Sequence, residues 1–314
     1  MQSISFKHRH AEQREASRNI RTLMNNSEQT WTTVIKPKNN LLDVNLREIW
    51  AYRDLLSLFV KRDIITQYKQ TILGPLWFVI QPAITVIMYM VVFGGIAGIP
   101  TDGAPQPLFY LAGICMWQYF ADCLNKTAST FLSNAGIFGK VYFPRLISPL
   151  SSVVGNLVRF GIQFALFLVV YLYYAVFVGL TIHPNLYALL FPLLVIMMAG
   201  LALGFGVIIS SMTTKYRDLQ ILFGFIVSLW MYGTPIVYPL SQVQGKVVAG
   251  MDLYTIMCIN PVTPVIETFK YGFLGVGEFI GWGWLAYSFC FMVILLMLGI
   301  IIFNRVQKSF MDTV

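Results

Sequence analysis

Charge is scarce in this chain: Asp, Glu, Lys and Arg make up 11% of its 314 residues, against 57% hydrophobic residues. So few charges cannot coat a water-soluble fold of this length, which excludes an ordinary soluble enzyme or binding domain. Cysteine is scarcer still. Cys115, Cys123, Cys258 and Cys290 show no C-x-x-C spacing, so they read as small packing residues and not as a disulfide or thiolate-metal set. Histidine occurs only as His8, His10 and His183. None has a nucleophile or carboxylate partner set by a motif, and two histidines in a polar tract lack the further ligands of a closed site, so neither a catalytic set nor a metal is expected. No G-x-x-x-x-G-K-[ST] string occurs, so ATP cannot be cradled here by the P-loop route and any energy from it enters through another subunit. The first forty residues also lack the apolar stretch of a cleaved signal.

What the chain does have is six apolar runs, at 77–98, 108–130, 160–182, 185–212, 219–238 and 280–303. Each is near or above the ~20 residues that cross ~30 Å of hydrocarbon as a helix. The runs are unbroken, which excludes the inward-polar alternation of a membrane β-barrel, so an all-α integral membrane fold is expected. Of the 22 basic residues, twelve precede Trp77, and Lys140, Arg145, Lys215, Arg217, Arg305 and Lys308 occupy alternate connections and the tail. The intervening connections hold only Lys246 and Lys270. By the positive-inside rule, both ends and segments 131–159 and 213–218 face the cytoplasm. Lys126 and Arg159 then fall at cytoplasmic ends of the second and third runs, where long stems can snorkel. The net charge of +8 is a topology signal rather than a nucleic-acid footprint.

Residues 1–45 form a polar extension with the composition of a flexible cytoplasmic segment. From Leu46 to Gln70 the pattern is helical but does not span. Leu46, Ile49, Trp50, Tyr52, Leu56, Phe59, Val60 and Ile64 share an arc that Arg53 and Asp63 interrupt, while Leu58 and Ile65 fall on the polar side. Such a helix lies in the membrane interface or packs on a partner. Gly74-Pro75 then turns the chain into the first run, with Pro75 at a helix start.

That elbow, with Arg62-Asp63, Tyr68-Lys69, Gly74-Pro75 and Trp77, resembles the membrane subunits of ABC transporters that export bacterial polysaccharides, the O-antigen, capsule and teichoic-acid family. A second likeness lies in the first cytoplasmic connection, where Gly136, Phe138, Lys140, Tyr142, Phe143, Pro144 and Arg145 precede Ser148-Pro149-Leu150. In the family this is the coupling helix that docks on the ATP-binding subunit, and exposed aromatics outside the bilayer suit such a surface. The resemblance covers roughly residues 45–314 and includes the tail through Val314; Gln307-Lys308 stands where members often carry an acidic residue.

The resemblance implies a homodimeric permease in the bacterial cytoplasmic membrane, paired with two subunits that hold ATP and Mg²⁺, moving a lipid-linked glycan. Residues 239–279 are too apolar for a solvated loop and suit two short helices that dip back toward the membrane. In the family these form an external gate, here with Asn260, Pro261 and a Glu267–Lys270 surface pair of little energetic weight. A glycan path wants aromatic walls bearing hydroxyl or indole groups. Trp117, Tyr119, Phe120, Tyr171, Tyr173, Tyr174, Trp230, Tyr232 and Tyr238 are the candidates, with belt or packing roles as the alternative. Asp122, ionisable inside a run, is either functional or paired with Lys126 one turn on. A permease for small lipids or drugs, and a membrane enzyme acting on lipid-linked sugars, are the competing classes.

Overall fold

A computed structural model describes residues 46–310 except 70, 139, 142, 180–183, 215, 217 and 249. The extension 1–45, Tyr142, His183, Lys215, Arg217 and the tail 311–314 lie outside the described residues. Those described are mainly helical. The sheet content among them is one hairpin, β1 (Val247–Val248) and β2 (Met251–Asp252), which pairs Val247 with Asp252.

The chain enters through α1 (Leu46–Ala51) and α2 (Arg53–Tyr68). The single helix expected over 46–70 is thus broken at Tyr52, whose φ of −96° and ψ of 21° lie off the helical values. Phe59 of α2 is buried, and Leu58 and Ile65 stay exposed as the wheel placed them. A 3-10 turn (Gly74–Leu76) then leads into α3 (Trp77–Tyr89), which continues as a π-helical segment (Met90–Ile96). Gly74 has φ +48°, and a Cβ there would touch nothing. The elbow therefore needs glycine for its backbone and not for space. Gly74→Ala is expected to cost about 1–2 kcal/mol, the strain of a left-handed L-residue, read as a lower unfolding midpoint of the purified chain in detergent.

After the elbow come α4 (Gln106–Ala128), α5 (Thr130–Phe138), α6 (Ile147–Phe177) and α7 (Phe191–Thr213), the last preceded by a 3-10 turn at Leu186–Leu190. The remainder is α8 (Leu219–Trp230), a 3-10 turn (Leu240–Val243), α9 (Leu253–Ile259), α10 (Val262–Leu274) and α11 (Trp282–Phe310). Four segments are long and apolar enough to cross a bilayer: Gly74–Ile96, Ile147–Phe177, Leu186–Thr213 and Trp282–Val306. They match the first, third, fourth and sixth runs and make this a multi-pass membrane protein.

The second run is a helix of 23 residues, about 35 Å long, but less apolar. It is buried almost all round, against α3, α6, α7 and α10. Close approach to α7 depends on Gly206, where a Cβ would fall 2.5 Å from that of Thr127.

Two runs depart from expectation. The third starts as a helix at Ile147, ahead of 160, so Ser148-Pro149-Leu150 lies in the first turn of α6. The fifth is helical only to Trp230, and residues 231–238 continue as turns. Pro235 has no N–H to donate and biases Thr234 away from helix, and Gly233 weakens the stretch further. The turn segment survives because it is covered: Thr234, Pro235, Ile236 and Val237 are all buried. Irregular backbone within an apolar run is tolerated only in such a protein-lined place.

Candidate functional site

Polar residues on α4 and α6 build the centre of the site. Gln118, Asp122 and Lys126 recur every four residues, and Ser152, Asn156, Arg159 and Gln163 at steps of four, three and four. Each set makes one stripe on its helix, and the packing of α4 on α6 brings the two stripes together. Asp122 is paired with Arg159, not with Lys126: Arg159 Nη1 is 2.8 Å from Asp122 Oδ2. Gln118 Nε2 donates to the other carboxylate oxygen at 2.9 Å, and Lys126 Nζ donates instead to Asn156 Oδ1 at 2.8 Å. Arg159 also donates to Gln81 Oε1 of α3 at 3.2 Å and lies 5.1 Å over the Phe78 ring. Lys126 stands in the last turn of α4, as expected, and turns its amino group to Asn156. Arg159 sits well inside α6 with its side chain turned to protein, since a charge in an apolar span is retained where it is paired.

This polar face lines a row of openings. The first, ≈ 510 Å³, lies among Arg62, Asp63, Thr66, Gln67 and Lys126. A small hollow is bordered by Gln67, Lys126, Asn156 and Arg159. A larger hollow of ≈ 380 Å³ is bounded by Gln81, Thr85, Trp117, Gln118, Arg159 and Gln163. Lys126 borders the first and second of these, and Arg159 the second and third.

The predicted coupling residues divide. Phe138 and Phe143 are not exposed: with Phe59, Phe131, Ile147, Val207 and Phe303 they form a separate apolar cluster. Phe143 meets Phe59 edge-on at 5.6 Å and Phe138 at 5.7 Å, while Phe131 stacks on Phe303 at 4.8 Å. Three aromatics from one connection bury more surface against α2 and the end of α11 than in water, and that decides their direction. Arg145 is also buried, 5.6 Å over the Phe138 ring, and burial lowers its pKa from the ordinary value without discharging it. Pro144 is half-buried, whereas Gly136, Lys140 and Val141 are exposed. At the elbow, Arg62 donates to Asp63 at 2.8 Å and lies over Phe59, Tyr68 ends α2, and Lys69 and Trp77 are exposed.

The aromatics expected along a glycan path take different places. Tyr119 and Phe120 are core residues, and Trp117 is the aromatic of that set which reaches the cavity. Trp230 packs edge-on against Phe120 and Phe205, Tyr171 and Tyr174 are half-buried against the core, and Tyr173 and Tyr232 are exposed. Tyr238 donates to the Tyr232 carbonyl at 3.0 Å. Gln81, Gln118, Asn156, Arg159 and Gln163 make up the polar cluster that reading for aromatics missed. Their signal was present in the sequence, as polar residues at helical spacing inside apolar runs.

Elsewhere on the chain, α9 and α10 hold the 231–238 turns, whose Met231 also borders the ≈ 380 Å³ cavity. Asn260 Nδ2 donates to the Gly233 carbonyl at 3.2 Å and to Thr234 Oγ1 at 2.9 Å. Lys270 Nζ donates to the Pro235 carbonyl, lies 4.0 Å from the Phe109 ring centre and pairs with Glu267 at 3.1 Å. The pair is therefore no surface pair, because the Lys270 side chain is only 3% exposed and that of Glu267 13%. Pro261 precedes α10, and its carbonyl accepts from Ser288 Oγ of α11. Among the described residues there is no His, Cys, Asp and Glu group able to hold a metal.

Known proteins share this sequence over most of its length. The chain is 27% identical over 226 residues to the O-antigen export system permease protein RfbA of Myxococcus xanthus, covering 72% of this chain and 82% of that protein. Two proteins of the same name from Klebsiella pneumoniae are each 26% identical, over 260 and 261 residues, covering 82% of this chain and 94% of theirs. The sequence profile of the ABC-2 type transporter family matches residues 54–274, from α2 through α10. That stretch carries the elbow, the paired polar stripes and the clamp on the fifth run, and on it the chain belongs to the ABC-2 type transporter family.

Proposed function

We propose that this chain is the membrane subunit of an ATP-driven exporter that moves a lipid-linked polysaccharide outward across the bacterial cytoplasmic membrane. The observation that carries this reading is the similarity to O-antigen export permeases over 82% of the chain. In it, α4 and the α8 segment with its following turns complete six crossings, both ends face the cytoplasm, and two copies form the pore. ATP and Mg²⁺ are held by two partner subunits, so hydrolysis is not the work of this chain. The exposed Gly136, Lys140 and Val141 meet the ATPase, and the aromatic cluster behind them passes the displacement to α2, α6 and α11. The clamp of α9 and α10 on the 231–238 turns serves as the external gate.

A strain deleted for this gene is expected to lose surface polysaccharide and accumulate lipid-linked glycan in the cytoplasmic leaflet, with the wild-type chain restoring export. Surface glycan that persists in the deletion strain would sink the reading. Lys140→Glu reverses an exposed charge and touches no core contact. It is expected to reduce export about tenfold, the effect of roughly 1.4 kcal/mol on docking, while membrane abundance measured by immunoblot stays at the wild-type level.

A further inference from the structure

We infer that the ≈ 510 Å³ hollow between α2 and the last turn of α4 is a binding site for the headgroup of a monoanionic phospholipid, held by Arg62 and Lys126. The inference needs only a membrane-embedded chain and does not depend on the export reading.

Charge is the first argument. Lys126 is half-buried, and its amino group donates to one neutral partner, Asn156 Oδ1 at 2.8 Å. The carboxylates of this polar face are already taken, Asp122 by Arg159 and Asp63 by Arg62, each at 2.8 Å. Those two pairs cancel, so among the described residues the charge of Lys126 is left over. A half-buried ammonium at the end of an apolar helix is best kept where an anion balances it. Two of its three N–H bonds are still free to donate.

The rest of the lining suits the same ligand. Arg62 spends Nε and Nη2 on Asp63, at 2.9 and 2.8 Å, which leaves its Nη1 for a phosphate oxygen. Its side chain is 39% exposed, so a ligand in the hollow can reach it. Thr66 and Gln67 are exposed on the same wall and carry neutral donors. Position supplies the other half of the ligand. Beyond Tyr68 the chain enters the elbow, where Ile72, Leu76 and Trp77 are exposed, and an indole among aliphatic side chains belongs at the boundary of headgroups and acyl chains. An anionic head with apolar tails fits both surroundings. One surplus positive charge balances one phosphodiester, whereas a diphosphate would bring a second negative charge to Asp63 with no cation to offset it.

The test uses the full chain purified in a neutral detergent, titrated with phosphatidylglycerol or with phosphatidylcholine of the same acyl chains, and bound lipid is counted by native mass spectrometry. Wild type is expected to bind phosphatidylglycerol about fivefold more tightly, the weight of one basic side chain near an anionic headgroup. Lys126→Gln and Arg62→Gln should each erase that preference and leave affinity for phosphatidylcholine unchanged, which also certifies that the variants are folded. Asp63→Asn removes the competing carboxylate and should strengthen phosphatidylglycerol binding about fivefold, a gain that a merely structural role for Asp63 does not produce. Lys69→Gln, an exposed charge outside the hollow, should keep the preference. Equal affinity of wild type for the two lipids would overturn the inference, and so would a preference that survives in both Lys126→Gln and Arg62→Gln or is lost equally in Lys69→Gln. Displacement of the lipid by equimolar inorganic phosphate would overturn it as a lipid site, and tighter competition by a polyprenyl diphosphate would make the hollow a diphosphate site instead.

Discussion

Lys270→Ala is expected to destabilise the protein by about 3–5 kcal/mol, the cost of leaving the other member of a buried ion pair uncompensated. Three contacts are lost together: the Glu267 carboxylate, the Pro235 carbonyl and the face of Phe109. The Pro235 carbonyl matters most for architecture, because it belongs to the non-helical stretch that interrupts the fifth apolar run. Without Lys270 that carbonyl and Glu267 are both left buried without a partner. The measurement is thermal unfolding of the purified chain in detergent, with protease sensitivity of the segment around residue 235 as the local reading. Lys270→Met combined with Glu267→Gln removes both charges and should recover more than half of the loss, since desolvated charge is the main term. A single variant as stable as wild type would show that the clamp contributes nothing.

The second large effect is expected at Phe143. Phe143→Ala removes a ring that touches both Phe59 and Phe138, and truncating a buried Phe costs about 3–5 kcal/mol. The loss should appear as reduced membrane abundance and a lowered unfolding midpoint, whether or not an ATPase subunit is present. This reverses what an exposed docking aromatic would do, which is to leave the isolated chain intact and weaken only the complex. Phe143→Leu keeps most of the volume and should cost less than half as much. If Phe143→Ala leaves stability unchanged but prevents recovery of the complex, the side chain belongs to the docking surface after all.

Several features of the fold were legible in the residues alone. The uninterrupted apolar runs and one-sided basic residues report membrane insertion, because the cost of placing charge in hydrocarbon acts on each residue wherever its neighbours end up. The turn at Gly74-Pro75 is equally local: a positive φ and a missing N–H belong to those two residues. Two helices around Asn260-Pro261 follow from an apolar pattern too dense for a solvated loop and from a proline placed to begin the second.

Partner choice was not legible. Asp122 has Lys126 one turn away in sequence, yet it pairs with Arg159 from α6, which also receives Gln81 as a partner. Phe138 and Phe143 look like an exposed aromatic edge until α2 and the end of α11 close over them. Lys270 looks like a surface charge until α10 is laid against the turns at Pro235. By itself the sequence determined that this is a multi-pass helical membrane protein, that the chain turns at Gly74-Pro75 and which residue types line each helix, since these depend on solvation and backbone torsion within a few residues. Only the tertiary structure decided which charges meet and which aromatics are hidden. Those outcomes depend on contacts between segments far apart in the chain, whose energies exist only once the helices have packed.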